Sequence, residues 1–332
     1  MTKRFPDEGT IRTVLALASR APSVHNTQPW RWLVGQESLH LYSDIDRQLP
    51  NTDPDGRDLI LSCGAALNHC VIGFAAVGWQ AKVTRLPNPA EPSHLAAIEL
   101  SRSTADSVDI TLAAAIPCRR TDRRHYNSWP VPVSDIALMA ARAARNGVML
   151  CQVEDTDKLH EIVTQSVLDH MNHDYLVELT EWSGRYASVA GVPARNTPKS
   201  DPGAKIPGRL FAGPALAMSS GSSAAEDNAV LLALGTRSDD RLAQLRAGEA
   251  TSIVLLTATS MGLASCPVTE PLEVADTREA VRTEIFGGSS YPQMLLRVGW
   301  APINADPLPS TPRRELADFV DWMADRELNA AE

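Results

Sequence analysis

The sequence predicts an α+β fold in which two related half-units share one chain. The first observation behind this prediction is an internal repeat: one helical run of small and apolar residues contains Gly64 and ends at Gly78, and another contains Gly248 and ends at Gly262, with the same interval of fourteen residues. In both copies a strand-like run follows the second glycine, as at a helix that ends on a left-handed residue. The second observation is that helical and strand-like segments alternate around both copies. We therefore expect an ancient duplication and an intramolecular pseudo-dimer, although two unrelated buried helices could share so few identities.

The first half-unit is predicted to span residues 1–116. An amphipathic helix is expected at residues 11–19, and alternating strands follow at 30–35 and 38–43. A helix rich in small residues is predicted at 57–77, where close packing in the centre of the fold is expected. Strands at 82–86 and 97–100 complete this half.

The second half-unit is predicted to span residues 117–332. The pattern favours helices at 136–145, 155–182, 240–261, 276–286 and 315–326, and strands at 148–153, 229–234 and 293–300. Residues 191–213 break the pattern, with prolines at Pro193, Pro198, Pro202 and Pro207. Such a stretch is too long and too proline-rich for an ordinary connection, so it is a candidate lid, with a disordered insert as the alternative.

Composition limits the classes of function. A net charge of −9 and a pI near 5.4 argue against a nucleic-acid binder or a protein of anionic membranes, both of which need a basic face. Five cysteines without a CxxC pair are typical of reduced thiols, and no secretory signal precedes the first helix, so a cytoplasmic protein is expected. The apolar run at 64–79 is short and contains Asn68 and His69, which indicates a buried helix.

Polar groups are concentrated in the connection from the first helix to the first strand, residues 20–30. Pro22 cannot continue the helix and Pro29 biases its neighbour towards extended geometry. Between them lie a hydroxyl, an imidazole and two carboxamides, from Ser23, His25, Asn26 and Gln28. This loop is suited to contact the edge of a heterocycle, and the alternative is a polar loop that satisfies only its own backbone.

The densest basic segment of this acidic protein opens the second half. It contains Arg119, Arg120, Thr121 and Arg123, which offer guanidinium groups and a hydroxyl to a phosphate. A solvated basic surface loop is the alternative. A second pair, Arg313 and Arg314, follows Pro312 near the end of the chain.

Other signatures of catalysis or cofactor binding are weak. Cys266 has no partner cysteine and an apolar setting, so we expect an inert thiol. His170 and His173 have helical spacing but no companion motif, and no metal site is predicted. The sequence contains no GxGxxG, P-loop or GxSxG motif.

The loop motif Ala-Pro-Ser-x-x-Asn-x-Gln-Pro-Trp resembles the flavin-contacting loop of the nitroreductase-like FMN proteins. In the form Arg-Ala-Pro-Ser-x-His-Asn-x-Gln-Pro-Trp it is most similar to the actinobacterial Acg branch. The resemblance implies a nitroreductase-like fold and one non-covalent FMN. The residues that would contact the isoalloxazine are Pro22, Ser23, His25, Asn26 and Gln28. Those that would hold the phosphate are Arg119, Arg120, Thr121, Arg123, Arg313 and Arg314. Along the ring, the resemblance implies Pro267, Val268 and Thr269.

The resemblance also implies where the site lies and what it does. In nitroreductase dimers each flavin lies in the interface. Here the loop at residues 20–30, called the ring loop, belongs to the first half, and the basic segment at residues 117–126, which would hold the phosphate, belongs to the second. No second Ala-Pro-Ser loop occurs near residues 143–146, so one site per chain is expected, without need of an oligomer. The first hypothesis is an oxidoreductase that passes two electrons from NAD(P)H through FMN to a nitro, quinone or similar acceptor, with no protein residue named as catalytic. The second is a non-catalytic flavin-sequestering protein whose lid closes the site. A role in stress or dormancy is implied by resemblance alone.

Overall fold

Two β-sheets and two long central helices organise the structure. The computed structural model describes residues 5–184, 189–201, 203–217, 227–303 and 305–323. One sheet has five strands and the other has four, and a central helix accompanies each sheet. Pro202, part of the predicted lid, lies outside the described residues.

The first unit follows the predicted order of elements as far as its fourth strand and then adds a helix that was not predicted, at Ser107–Ala115. It consists of α1 (Glu8–Ala18), β1 (Trp30–Val34), β2 (Ser38–Ser43), α2 (Arg57–Ala76), β3 (Trp79–Arg85), β4 (His94–Arg102) and α3 (Ser107–Ala115). Helix α1 begins where the Asp7 carboxylate accepts a hydrogen bond from the Thr10 N–H at 2.9 Å, a typical N-cap. Helix α2 is followed by Gly78 in the left-handed conformation, with φ +79°.

Among its described residues, the second unit has counterparts of all these elements except α3, and it has four further helices. It consists of α4 (Val133–Ala144), β5 (Met149–Gln152), α5 (Thr156–Asp169), α6 (His173–Trp182), β6 (Val230–Thr236), α7 (Arg241–Ser260), β7 (Ala264–Val268), α8 (Glu270–Glu273), α9 (Ala275–Phe286) and β8 (Tyr291–Gly299). Gly262 follows α7 with φ +82°, as Gly78 follows α2.

The sheets of the two units match in strand order and in register. The orders are β3-β4-β2-β1 and β7-β8-β6-β5, all antiparallel. In the first sheet Leu41 pairs with Ala96 and the ladder then shifts at a bulge before Tyr42. In the second, Leu234 pairs with Met294 and the ladder shifts at the corresponding place, before Gly235. Shared order, register and bulge are what the sequence repeat leads one to expect.

Helices α2 and α7 cross in close contact at their central glycines. A Cβ atom on Gly64 would lie 2.2 Å from the Leu245 carbonyl oxygen, and one on Gly248 would lie 2.0 Å from the Leu61 carbonyl oxygen. Leu61 of α2 packs in the hydrophobic core of the second unit, and Leu245 of α7 packs in that of the first. The two units therefore exchange core residues across this crossing, which binds them into one body.

Helix α2 is also the one helix among the described residues that could span a membrane by length and composition. However, 78% of its most apolar window is buried inside the protein. This is the pattern of a core helix, as its sequence predicts.

Two predicted elements are wrong. The single helix at 155–182 is interrupted, because the Asn172 side chain accepts the Tyr175 N–H at 3.0 Å and begins a new helix, α6. The helix predicted at 315–326 is instead a short 3₁₀ turn, Leu316–Asp318, followed by strand β9 (Val320–Trp322). Strand β9 joins the first sheet parallel to β1, so the end of the chain returns to the first unit. The last residues of that predicted helix, 324–326, lie outside the described range.

Candidate functional site

A cavity opens between the two units, beside the crossing of α2 and α7. Its larger part, here the apolar pocket, is lined by Leu61 and Ala65 of α2, Thr251 of α7 and the residues at the end of β7. The empty space is about 1180 Å³, including the open mouth. A smaller basic pocket adjoins it and shares Pro22, Ser23, His25, Thr121, Arg123 and Val192 with it.

The loop from α1 to β1 borders both pockets and has an unusual backbone. His25, Asn26 and Gln28 have φ values of 44°, 56° and 54°. Left-handed geometry is uncommon for residues other than glycine, and its clustering is typical of functional sites. Ser23 stabilises the loop, since its hydroxyl accepts the Gln28 N–H at 2.9 Å.

The two carboxamides of this loop are engaged within the protein. The Asn26 amide donates to the carbonyl oxygens of Gly191 and Pro312, at 3.0 and 3.1 Å. The Gln28 amide donates to the Val189 carbonyl at 3.1 Å, and its oxygen accepts the Arg314 N–H at 2.8 Å. Asn26 lies at the wall of the basic pocket, whereas Gln28 is fully buried and lines neither pocket. Both therefore attach the loop to two distant segments, around residues 189–191 and 312–314.

Five arginines line the basic pocket: Arg20, Arg119, Arg120, Arg123 and Arg313. In the part of the chain that the structure describes, none of them forms an ion pair with a carboxylate. Arg119 is buried, and its Nε has no hydrogen-bond partner among the described residues. Burial, followed by repulsion from neighbouring arginines, lowers the pKa of Arg119 to about 10 and that of Arg313 to about 9. The solvated-loop alternative is wrong for Arg119, and no carboxylate among the described residues balances the charge of the cluster.

The two C-terminal arginines differ in position. The Arg313 guanidinium contacts the Asn26 side-chain oxygen at 3.0 Å and the Ser19 carbonyl at 2.7 Å, at the edge of the basic pocket. Arg314 lies outside both pockets and donates to the Asp44 carboxylate at 3.3 Å.

The basic segment, residues 117–126, lies beside the start of β7. Thr121 forms a bridge with Ser265, and the Asp122 N–H donates to the Ser265 carbonyl at 2.9 Å. Pro267, Val268 and Thr269 then line the apolar pocket. Cys266 lines it as well, and burial raises the pKa of its thiol, which favours the unreactive form.

The proline-rich segment forms one wall of the apolar pocket. Pro198, Ile206, Pro207, Gly208, Arg209 and Phe211 all line it. The Phe211 ring lies 4.9 Å from the Arg123 guanidinium carbon and 6.1 Å from the His25 ring, measured to ring centroids. The described part of residues 191–213 thus contacts both the ring loop and the basic segment.

Arg209 anchors this segment in the interior. Its guanidinium contacts the His25 Nε2 at 2.7 Å, the Tyr175 hydroxyl at 3.2 Å and the Thr269 hydroxyl at 3.1 Å. It also pairs with the carboxylate of Glu273, which is almost fully buried. One side chain therefore connects the proline-rich segment to the ring loop, to α6 and to α8.

Two carboxyl groups also face the apolar pocket, Asp58 at the start of α2 and Glu270 at the start of α8. Burial raises the pKa of Asp58 to about 6, in spite of the ion pair with Arg57 at 2.9 Å. Asp53 lies behind it, and burial together with Asp58 raises the pKa of Asp53 to about 7.

The structure brings most of the predicted site residues to one cavity. Pro22, Ser23, His25, Thr121, Arg123, Pro267, Val268 and Thr269 line the apolar pocket, and Asn26, Arg119, Arg120 and Arg313 line the basic pocket. Gln28 and Arg314 lie outside. Sequence reasoning missed Arg20, Asp58, Arg209, Phe211 and Glu270. Arg20 is the first residue of the longer form of the loop motif and could have been included, but the others carry no motif.

The chain has close relatives in Mycobacterium tuberculosis. It is 67% identical over 323 residues to the protein named "Putative NAD(P)H nitroreductase Rv3131" of strain H37Rv, covering 97% of this chain and 94% of the relative. It is 36% identical over 313 residues to "Putative NAD(P)H nitroreductase acg" of the same strain, covering 92% and 93%. Comparison with models of protein families finds no match.

Solved structures give more distant similarities. One is a nitroreductase with bound FMN from Bacteroides fragilis, with 14% identity, a TM-score of 0.39, and coverage of 67% of this chain and 98% of that one. Another is a nitroreductase with bound FMN from Desulfitobacterium hafniense, with 13% identity, a TM-score of 0.38, and coverage of 64% and 98%. The family assignment depends on the mycobacterial relatives, whose identity extends over nearly the whole chain. This protein belongs to the nitroreductase-like family, in the branch that contains Acg.

Proposed function

We propose that the chain is an FMN-dependent oxidoreductase that takes two electrons from NAD(P)H and passes them to a nitro, quinone or similar acceptor. The observation that carries the proposal is the pairing of an apolar pocket with five arginines that lack acidic partners among the described residues. FMN combines a flat ring with a phosphate, and it would satisfy both pockets. The names of the mycobacterial relatives support NAD(P)H as the electron donor.

The residues of the basic pocket fit a phosphate group. Arg119, Arg120 and Arg313 present guanidinium groups whose mutual repulsion a dianion would relieve. Thr121 lies between the two pockets and offers a hydroxyl. Arg123, which also lines both pockets, completes the cluster. Because the fold already brings these groups to one pocket, little ordering would be needed on binding.

The residues of the apolar pocket fit the ring. Pro22, Ser23 and His25 approach from the first unit, and Pro267, Val268 and Thr269 approach from the second. When bound there, FMN would supply hydride chemistry at N5. The chain itself would hold the ring between its two units and limit the access of water through the proline-rich wall.

We further propose that the fold is a covalent pseudo-dimer with a single site. The sequence alignment of the two half-units that matches Gly64 with Gly248 also matches Ala65 with Glu249 and Arg85 with Thr269. Ala65 and Thr269 line the cavity. Their counterparts Glu249 and Arg85 instead form a bidentate ion pair, with both N–O distances 2.9 Å. That pair would fill the place of a second flavin site. The proposed boundary between the half-units stays at residue 116.

A second function, flavin sequestration without turnover, is supported by the wall at residues 191–213. The Arg209 contacts with His25 and Glu273 hold this wall against the ring loop. In this alternative the wall acts as a lid that keeps NAD(P)H and acceptors away from the bound flavin.

An anaerobic experiment separates the two functions. Purified protein loaded with FMN is mixed with NADH or NADPH while the flavin absorbance is followed, and nitroaromatic or quinone acceptors are then added. Bleaching by a nicotinamide donor and recovery on addition of an acceptor support the oxidoreductase. If the protein is fully occupied by FMN and neither NADH nor NADPH reduces the flavin, the oxidoreductase proposal is overturned and sequestration is supported.

A further inference from the structure

His25 is held in one tautomer by its contact with Arg209. The Arg209 Nη1 lies 2.7 Å from the His25 Nε2. A guanidinium has only hydrogen-bond donors, so the Nε2 atom must accept and cannot carry a proton. In a neutral imidazole the proton then belongs to Nδ1.

The surroundings of His25 keep the ring neutral. Burial lowers the pKa of His25 well below its usual value, and the charges of Arg209 and Arg123 lower it further. Protonation would also place a second cationic donor against the Arg209 guanidinium. The Nδ1–H form is therefore the stable form at neutral pH.

Among the described residues, the Nδ1–H group of His25 has no partner. His25 is only 7% exposed, and Nδ1 has no hydrogen-bond partner among the residues that the structure describes. The side chain lines both pockets, at their junction. Buried donors without partners are rare in proteins, and one on a side chain that lines a cavity indicates a ligand that brings the acceptor.

We propose that the Nδ1–H of His25 is a fixed hydrogen-bond donor to the bound ligand and that Arg209 is the positioning residue that sets its tautomer. The proposal depends on the proposed function for the identity of the ligand, FMN. The recognised atom is an acceptor without hydrogen, a carbonyl oxygen or an unprotonated ring nitrogen, which lies at the junction of the two pockets. Arg209 thereby links the proline-rich segment to ligand recognition, in addition to its ion pair with Glu273.

The variants His25→Asn and His25→Gln separate the two ring nitrogens. The amide nitrogen of Asn can take the position of Nδ1, and asparagine tolerates the left-handed backbone at this position. The amide of Gln lies further out, near the position of Nε2. We expect His25→Asn to keep the affinity for FMN within about twofold, and His25→Gln and His25→Ala to weaken it about three- to tenfold, the range for one lost hydrogen bond. Thermal unfolding of each variant confirms that it is folded.

A direct reading of the tautomer needs no variant of His25. Two-bond ¹H–¹⁵N spectra of protein labelled at histidine distinguish Nδ1–H, Nε2–H and protonated rings. We expect Nδ1–H for His25 in the wild type, with a shifted Nδ1 signal when FMN is added, and a mixture of tautomers in Arg209→Met. The matched control is Arg195→Met, an exposed arginine of the same segment that should leave the spectrum unchanged.

The outcomes separate this proposal from the proposed function. A wild type that binds no flavin overturns the function and the assignment of the ligand. If the wild type binds FMN and His25→Gln binds FMN as tightly as His25→Asn does, the donor role of His25 is overturned. An Nε2–H signal for His25 overturns the role of Arg209 in either case.

Discussion

Gly64 and Gly248 lie in contact where α2 crosses α7, and a Cβ on Gly248 would lie 2.9 Å from the Gly64 Cα. This contact places Leu61 and Leu245 in the cores of the opposite units. The crossing also forms part of the cavity wall, since Gly248 lines the apolar pocket. The repeat that first indicates a duplication is thus also the contact that shapes the candidate site.

The crossing predicts a large penalty for alanine at either glycine. The added methyl group meets backbone carbonyl oxygens at 2.0–2.2 Å, and these cannot move unless the helices separate. We expect Gly64→Ala or Gly248→Ala to lower the free energy of unfolding by about 3 kcal/mol or more. Urea unfolding measures the change.

The control for that experiment is Gly9→Ala. Gly9 lies in the first turn of α1, and its Cβ would approach only the Asp7 side chain, at 3.4 Å. Alanine should therefore be neutral or stabilise by up to about 1 kcal/mol. Equal effects at Gly9 and Gly64 would contradict the close crossing.

Asp58 predicts a pH dependence of stability. Its pKa rises from an ordinary 3.8 to about 6 on folding, because burial disfavours the charge. Between these values the folded state holds a proton that the unfolded state has lost. The stability that Asp58 contributes is therefore fully present below about pH 4 and is lost as the pH rises through about 6.

The variant Asp58→Asn, which resembles the protonated acid, should not show this loss. We expect the variant to gain about 1–2 kcal/mol relative to the wild type between pH 5 and pH 8. Urea unfolding at both pH values tests it, with the exposed Asp55→Asn as control. A difference between variant and wild type that stays constant over this range would show that Asp58 has no raised pKa.

The ion pair of Arg85 and Glu249 predicts that substituting its two members lowers the stability by different amounts. Side-chain exposure is 25% for Arg85 and 3% for Glu249, so the arginine can reach water and the carboxylate cannot. We expect Arg85→Met to destabilise by about 2–4 kcal/mol at pH 8 and Glu249→Gln by about half as much. At pH 5 the effect of Arg85→Met should shrink, because burial already raises the pKa of Glu249 and the group can take up a proton. A larger loss in Glu249→Gln would rule out this account of the pair.

The position of the Phe211 ring predicts that this side chain slows the dissociation of FMN. Its ring covers Arg123 and approaches His25, so Phe211→Ala should open the wall of the cavity without disturbing the buried ion pair of Arg209. We expect FMN to dissociate about tenfold faster, as for a lid that loses an aromatic contact of about 1–2 kcal/mol. Stopped-flow transfer of FMN to an excess of apoflavodoxin measures the rate. Leu210→Ala, at the exposed neighbouring residue, is the control, and equal rates in the two variants would argue against a lid.

Local patterns were sufficient to predict the core of the fold. The helical runs around Gly64 and Gly248, the strands that follow them, and the two motifs at the cavity all depend on residues near in sequence. Strand β9 is different, because it has three residues and pairs with β1 from the far end of the chain. No local periodicity encodes such a pairing. The break before α6 does have a local signal, the Asn172 cap, which the prediction of one helix at 155–182 overlooked.

The part of the site that sequence could not predict is the inner wall. Arg209 is a single arginine in a proline-rich stretch, and only the fold brings it to His25 and Glu273. Asp58 is one acid among several before α2, and its importance comes from burial. Conversely, the carboxamides of Asn26 and Gln28 looked like ligand contacts in the sequence, and the structure engages both with the protein backbone. Their predicted contact with the cofactor stays a prediction.

The central claim is that one FMN binds per chain with its phosphate on the arginine cluster, and its most direct test compares FMN with riboflavin. The apoprotein is titrated with each flavin by quenching of flavin fluorescence, in the wild type and in Arg119→Ala. We predict about one FMN per chain, riboflavin at least about a hundredfold weaker, and a loss of most of that difference in Arg119→Ala, because charge-assisted contacts to the phosphate each contribute about 1.5–3 kcal/mol. Equal affinity for FMN and riboflavin in the wild type, or no binding of either flavin, would contradict the account.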